Sequence, residues 1–101
     1  MSIPERSFTR RKLTKEQRRE LRTNLVAHLA SGEYTLGEAV RLMRLAAGLT
    51  QQQYASIVGI DLRVLAGIER GKANPRLDTL EKLALPYGLM VSFVKPAGRV
   101  G

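Results

Sequence analysis

The sequence has no cysteine and no tryptophan, and its only histidine is His28. Without thiols, neither a disulfide framework nor a thiolate zinc site can form, and a single imidazole builds no metal site or triad by itself. The polar residues offer no paired acid and base, no nucleophile beside a partner and no phosphate-binding loop. The sequence therefore predicts no enzyme, no catalytic residue, no metal and no cofactor. Long apolar runs are missing too: none reaches the roughly 18 residues a membrane helix needs, and the N-terminus has no signal-peptide core. These absences lead to the expectation of a soluble, cytoplasmic protein without a membrane partner, and 101 residues is one domain's worth of chain.

Acidic residues are also scarce, with 9 Asp and Glu against 17 Lys and Arg, a formal net charge of +8. Residues 1–31 carry eight positive and three negative side chains, so the first third holds +5 of that excess. A polyanionic partner is the natural inference, although basic surfaces also serve solubility.

Residues 1–13, with Pro4 and the cluster Arg10, Arg11 and Lys12, show no apolar period and read as a basic arm. The arm would track DNA phosphates or enter a minor groove, or else stay a solvated tail. Thr14-Lys15-Glu16-Gln17 is a capping box that opens a helix to about Ala30, with Leu21, Leu25 and Leu29 as its stripe. That stripe completes the bundle, widens a dimer or binds another protein. Attachment to a membrane surface is disfavoured because aromatic anchors are lacking.

Two more capping boxes follow. Thr35-Leu36-Gly37-Glu38 opens a helix whose Leu36, Ala39, Val40, Met43 and Ala47 are expected to face inward until Gly48. Thr50-Gln51-Gln52-Gln53 opens a short one that Gly59 interrupts. Asp61 caps the next, through Arg70 to Gly71, and after Asn74-Pro75 a last helix carries Leu77, Leu80, Leu83 and Ala84. The helical domain thus spans 14–88, and its core at 50–71 has the form of a helix-turn-helix. Ala55 is small where two helices cross, Gly59 can take the positive φ of a tight turn, and Tyr54, Val58, Ile60, Leu65 and Ile68 fasten both helices to the core.

Residues 89–95 include the only β-prone run, Leu89-Met90-Val91-Ser92-Phe93-Val94, before a tail at 96–101. A lone strand cannot satisfy its own backbone. It either pairs with the same strand of a second copy through Met90, Val91, Phe93 and Val94, giving a homodimer, or lies on the core as an extended tail.

The strings Gly48-Leu49-Thr50-Gln51, Ile68-Glu69-Arg70-Gly71-Lys72, Asn74-Pro75 and Leu77-Asp78-Thr79-Leu80 resemble those of the XRE/Cro-type regulators over about half of the chain. The resemblance implies an all-α, lambda-repressor-like bundle of four to five helices, here with an extra N-terminal helix, whose segment from Asp61 to Arg70 enters the major groove. By position it implies base reading by Arg63, with Leu62, Ala66, Gly67 and Gln52 beside it. Gln51, Arg70, Lys72 and Asn74 are placed on phosphates, and Arg44 with Glu69 in a structural ion pair. Relatives often carry polar residues where this chain has Leu62, Ala66 and Gly67, so the reading face is sparse.

A core of this kind followed by a short strand is similar to HipB, the DNA-binding antitoxin of toxin–antitoxin modules. That likeness implies autoregulation at an inverted-repeat operator of double-stranded DNA and a cognate, kinase-like toxin as partner. The alternatives are a module that chiefly binds the toxin, and a stand-alone XRE-type regulator.

Overall fold

Thr14, Thr35 and Thr50 each open a helix in the structure, a computed structural model that describes residues 13–98. Each threonine Oγ1 accepts from the backbone N–H three residues on, and the Gln17, Glu38 and Gln53 side chains accept in return from the cap's own N–H. The helices are α1 (Lys15–Ala30), α2 (Leu36–Ala46), α3 (Gln51–Val58), α4 (Leu62–Glu69) and α5 (Leu77–Ala84), followed by a 3-10 turn (Leu85–Tyr87).

Helix α2 is central because it carries apolar residues on two sides. Its Leu42, Met43 and Ala46 pack with Leu13, Leu21 and Leu25 of the α1 side. Its Val40 joins Tyr54, Ala55, Leu65, Ile68 and Leu83 of α3, α4 and α5. Tyr87 packs against both clusters, and its hydroxyl donates to the Met43 carbonyl at 2.5 Å. Tyr54 stands edge-to-face against Tyr87 and donates to the Leu83 carbonyl at 2.6 Å. Burial pushes both phenol pKa values up, so these hydroxyls stay protonated as donors.

Gly37 lies where two helices approach closely. A β-carbon there would overlap the Ile68 carbonyl oxygen, so the start of α2 lies directly on the end of α4.

Several expectations are corrected. Leu13, assigned to the arm, is buried with α1. Ala47 and Leu36 are exposed, whereas Leu42 is fully buried. The expected stripe ran down one side of α2, but a helix clamped between two clusters needs a wider apolar arc than one stripe supplies.

The strand expected within 89–95 is likewise not formed: the described residues contain no β-strand, and within one chain that segment has no sheet edge to bond to. It runs as an irregular strap. The Leu89 N–H donates to the Ala84 carbonyl at 3.2 Å, and the Ala97 N–H donates to the Gly32 carbonyl at 3.0 Å. Between these points Met90, Phe93 and Val94 are exposed.

Candidate nucleic-acid interface

Helices α3 and α4 are joined by Gly59, Ile60 and Asp61. Gly59 adopts φ 75° and ψ 40°, the left-handed conformation that ends α3 and reverses the chain. Asp61 then caps α4, its Oδ1 accepting from the Arg63 N–H at 2.7 Å. Tyr54 and Ala55 from α3, with Leu65 and Ile68 from α4, fix the pair to the core.

The 3.6-residue period leaves Leu62, Arg63, Ala66 and Arg70 on one side of α4, with Leu62, Arg63 and Arg70 exposed and Ala66 half-buried. Among the described residues Arg63 makes no ion pair, so its guanidinium is open to solvent. Gly67 is different: it is buried, and a β-carbon on it would press on the Ala73 side chain at 3.2 Å. Placing Gly67 among the base readers is corrected accordingly, because it faces the following loop. Gln52 is exposed on α3, where Leu49, Thr50, Gln53, Ser56 and Ile57 line an open groove with it. Ile57, 63% exposed, was not singled out by the sequence, nor was Val64 at 38%.

Behind this face lies a buried charge cluster. Glu69, its side chain 0% exposed, accepts from Arg44 Nε at 2.8 Å and Arg44 Nη2 at 2.9 Å, a two-pronged contact. Arg41 Nε adds a third donor at 3.4 Å and Gln51 Nε2 a fourth at 3.1 Å. Arg44 Nη1 also donates to the Leu49 carbonyl at 2.9 Å. One carboxylate thus gathers α2, the turn before α3, the first residue of α3 and the end of α4. The Gln51 side chain expected on a phosphate is turned inward, because the buried carboxylate competes for its amide. Arg41 was missed, although its three-residue spacing from Arg44 puts both on one helix face.

After α4, Gly71 takes φ 71° and the Lys72 N–H bonds back to the Gly67 carbonyl at 2.9 Å. Arg70, Lys72 and Asn74 are all exposed around this turn. The exposed Arg76 beyond them is paired with Asp78 at 3.3 Å. The arm residues Arg10, Arg11 and Lys12 lie outside the described residues. Among the described residues no group of three or more His, Asp or Glu is placed to hold a metal, and no helix is long and apolar enough to cross a membrane.

Comparison with known proteins bears on the same region. An uncharacterized HTH-type transcriptional regulator of Haemophilus influenzae is 40% identical over 47 residues, 46% of this chain and 48% of the relative. The HTH-type transcriptional regulator DdrOP3 of Deinococcus deserti is 39% identical over 56 residues, 55% of this chain and 43% of that protein. The immunity repressor protein of Bacillus phage phi105 is 38% identical over 60 residues, 59% of this chain and 42% of the repressor. The chain thus spans less than half the length of these relatives. No solved structure matches it. The family profile described as Helix-turn-helix matches residues 40–90, which takes in most of α2, all of α3, α4 and α5 and the start of the strap; the chain belongs to this XRE-type helix-turn-helix family.

Proposed function

We propose that this chain is a transcriptional repressor that binds double-stranded operator DNA as a homodimer, its two α4 helices entering successive major grooves about 34 Å apart on an inverted repeat. The observation that carries this reading is the solvent-facing row of α4 held from behind by the buried Glu69 cluster, a reading helix on a rigid mount. The net charge of +8 and the regulator and repressor names of the relatives support it.

Arg63 forks onto guanine and Leu62 meets a thymine methyl, while Arg70, Lys72 and Asn74 grip phosphates. With its side chain engaged, Gln51 has its backbone N–H at the start of α3 left for a phosphate. Arg63→Ala should lower the preference for an operator selected from a random duplex pool by about 5- to 150-fold, the equivalent of about 1–3 kcal/mol, and leave random-sequence binding nearly unchanged. Equal loss on both duplexes would reduce Arg63 to a phosphate contact, and no duplex binding by the parent chain would sink the function itself.

The dimer is proposed to form through the strap, where Met90, Val91, Phe93 and Val94 expose apolar surface beside a backbone that pairs with no strand among the described residues. Light scattering should give twice the monomer mass, and Met90→Asp with Phe93→Asp should return it to the monomer. A monomeric parent protein rejects the pairing. The narrower role, a cytoplasmic antitoxin that represses its own operon and holds a kinase-like toxin, rests on the same exposed strap and is tested by co-purification with the product of a neighbouring gene.

A further inference from the structure

Helix α1 lies outside the family match, yet two of its arginines line one edge of its buried stripe. On a 3.6-residue period Arg18 and Arg22 fall along one edge of the buried Leu21–Leu25 stripe with Lys15 next to them, whereas Arg19, Glu16 and Glu20 lie round on the exposed back of the helix. The structure shows what that basic edge faces. The Arg22 Nη1 donates to the Ala46 carbonyl at 3.4 Å, and the Arg18 side chain would lie 3.5 Å from a β-carbon on Gly48. Both arginines therefore border the turn between α2 and α3, two to four residues before the cap Thr50 and the reading unit it opens.

Neither is neutralised. Among the described residues no carboxylate lies within ion-pair distance of Arg18 or Arg22, whereas Arg41 and Arg44, nearby on α2, share Glu69. Their other hydrogen bond is equally weak, from Arg18 Nη1 to the Leu13 carbonyl at 3.4 Å. Such contacts steer a guanidinium without consuming its charge. Two guanidiniums without an ion-pair partner among the described residues, held beside the turn that leads into α3, carry positive charge from the helix-turn-helix onto a helix that the family match does not include.

We infer that α1 is a second phosphate grip, in which Arg18 and Arg22, with Lys15 beside them, hold the DNA backbone flanking the segment read by α4. This rests on the DNA-binding reading above. The grip adds affinity for any duplex and no base preference, because phosphates carry no direct sequence information. It also widens the footprint beyond the major groove that α4 enters.

The test measures binding of the full chain to a fluorescent duplex of random sequence and to the selected operator, across a range of salt. The parent protein should bind both, with affinity falling as salt rises. Arg18→Gln with Arg22→Gln should make the logarithmic salt slope shallower by about 2, so that raising salt from about 50 to 200 mM weakens the variant about tenfold less than the parent. Operator and random duplex should lose affinity in the same proportion. Arg18→Lys with Arg22→Lys keeps the charges and should restore the slope, which a merely structural role would not require. An unchanged slope in a variant that melts like the parent would overturn the α1 grip while leaving α4 as the reader. Failure of the lysine variant to recover the slope would overturn it too. A parent chain that binds neither duplex would overturn the DNA-binding reading and this inference together.

Discussion

Glu69→Ala should destabilise the protein by about 3–5 kcal/mol, read as a lower urea midpoint with an unchanged slope. The loss does not come from the attraction alone. Glu69 is the acceptor for Arg44, Arg41 and Gln51, and its side chain is fully buried. Removing it leaves the Arg44 guanidinium, whose side chain is only 11% exposed, without its counter-charge in a site water scarcely reaches. The surface pair Arg76–Asp78 is the internal control: with side chains 86% and 61% exposed, its loss through Arg76→Ala should cost well under about 1 kcal/mol. A Glu69→Ala cost as small as that would show that the cluster does not hold the two helices together. The same substitution should weaken operator binding beyond the stability loss, since α4 loses its tie to α2 and α3.

Leu21→Ala should cost about 2–5 kcal/mol, measured by the same unfolding curves. Leu21 has no exposed surface and packs where α1 meets Leu42, Met43 and Ala46 of α2. Truncation there removes apolar contacts and leaves a cavity that the helices on either side cannot fully close. Val26 on the same helix is 65% exposed, and Val26→Ala should stay within about 0.5 kcal/mol. Equal, small effects at the two positions would make α1 an ornament on a self-sufficient core. The expected inequality makes it part of the fold, although the family match begins at residue 40.

Helix starts were legible because a capping box is a local chemical pattern. Thr14, Thr35 and Thr50 with their partners three residues on define three boundaries without any tertiary information. The turn at Gly59 was legible for the same reason, since its left-handed conformation is a property of one residue. What needed the structure was whatever depends on a neighbour from elsewhere in the chain. The inward turn of Gln51 follows from a carboxylate 18 residues away, and the burial of Gly67 from Ala73 lying across it. Leu42 was overlooked because a single-stripe reading has no room for a helix packed from two directions. Of the site, the ion pair's residue types and the basic loop were visible in the sequence; the sharing of Glu69 among three side chains was not. The strand at 89–94 rested on residue type alone, and β-prone residues form a strand only where an edge is available.

The strap has a further consequence for assembly. It is fastened at both ends, at Leu89 to the end of α5 and at Ala97 to the turn after α1. The Gly32 contact is close enough that a β-carbon there would collide with the Lys95 carbonyl. A segment hung between two anchors has already surrendered most of the conformational freedom that a dangling terminus would lose on meeting a partner. In the proposed dimer, less of the binding energy of Met90, Phe93 and Val94 would then be consumed in ordering. The geometry also bears on the distance between two reading helices: with each strap moored to the α1–α2 turn, a pairing at this edge would set their separation through rigid packing and not through a slack tether.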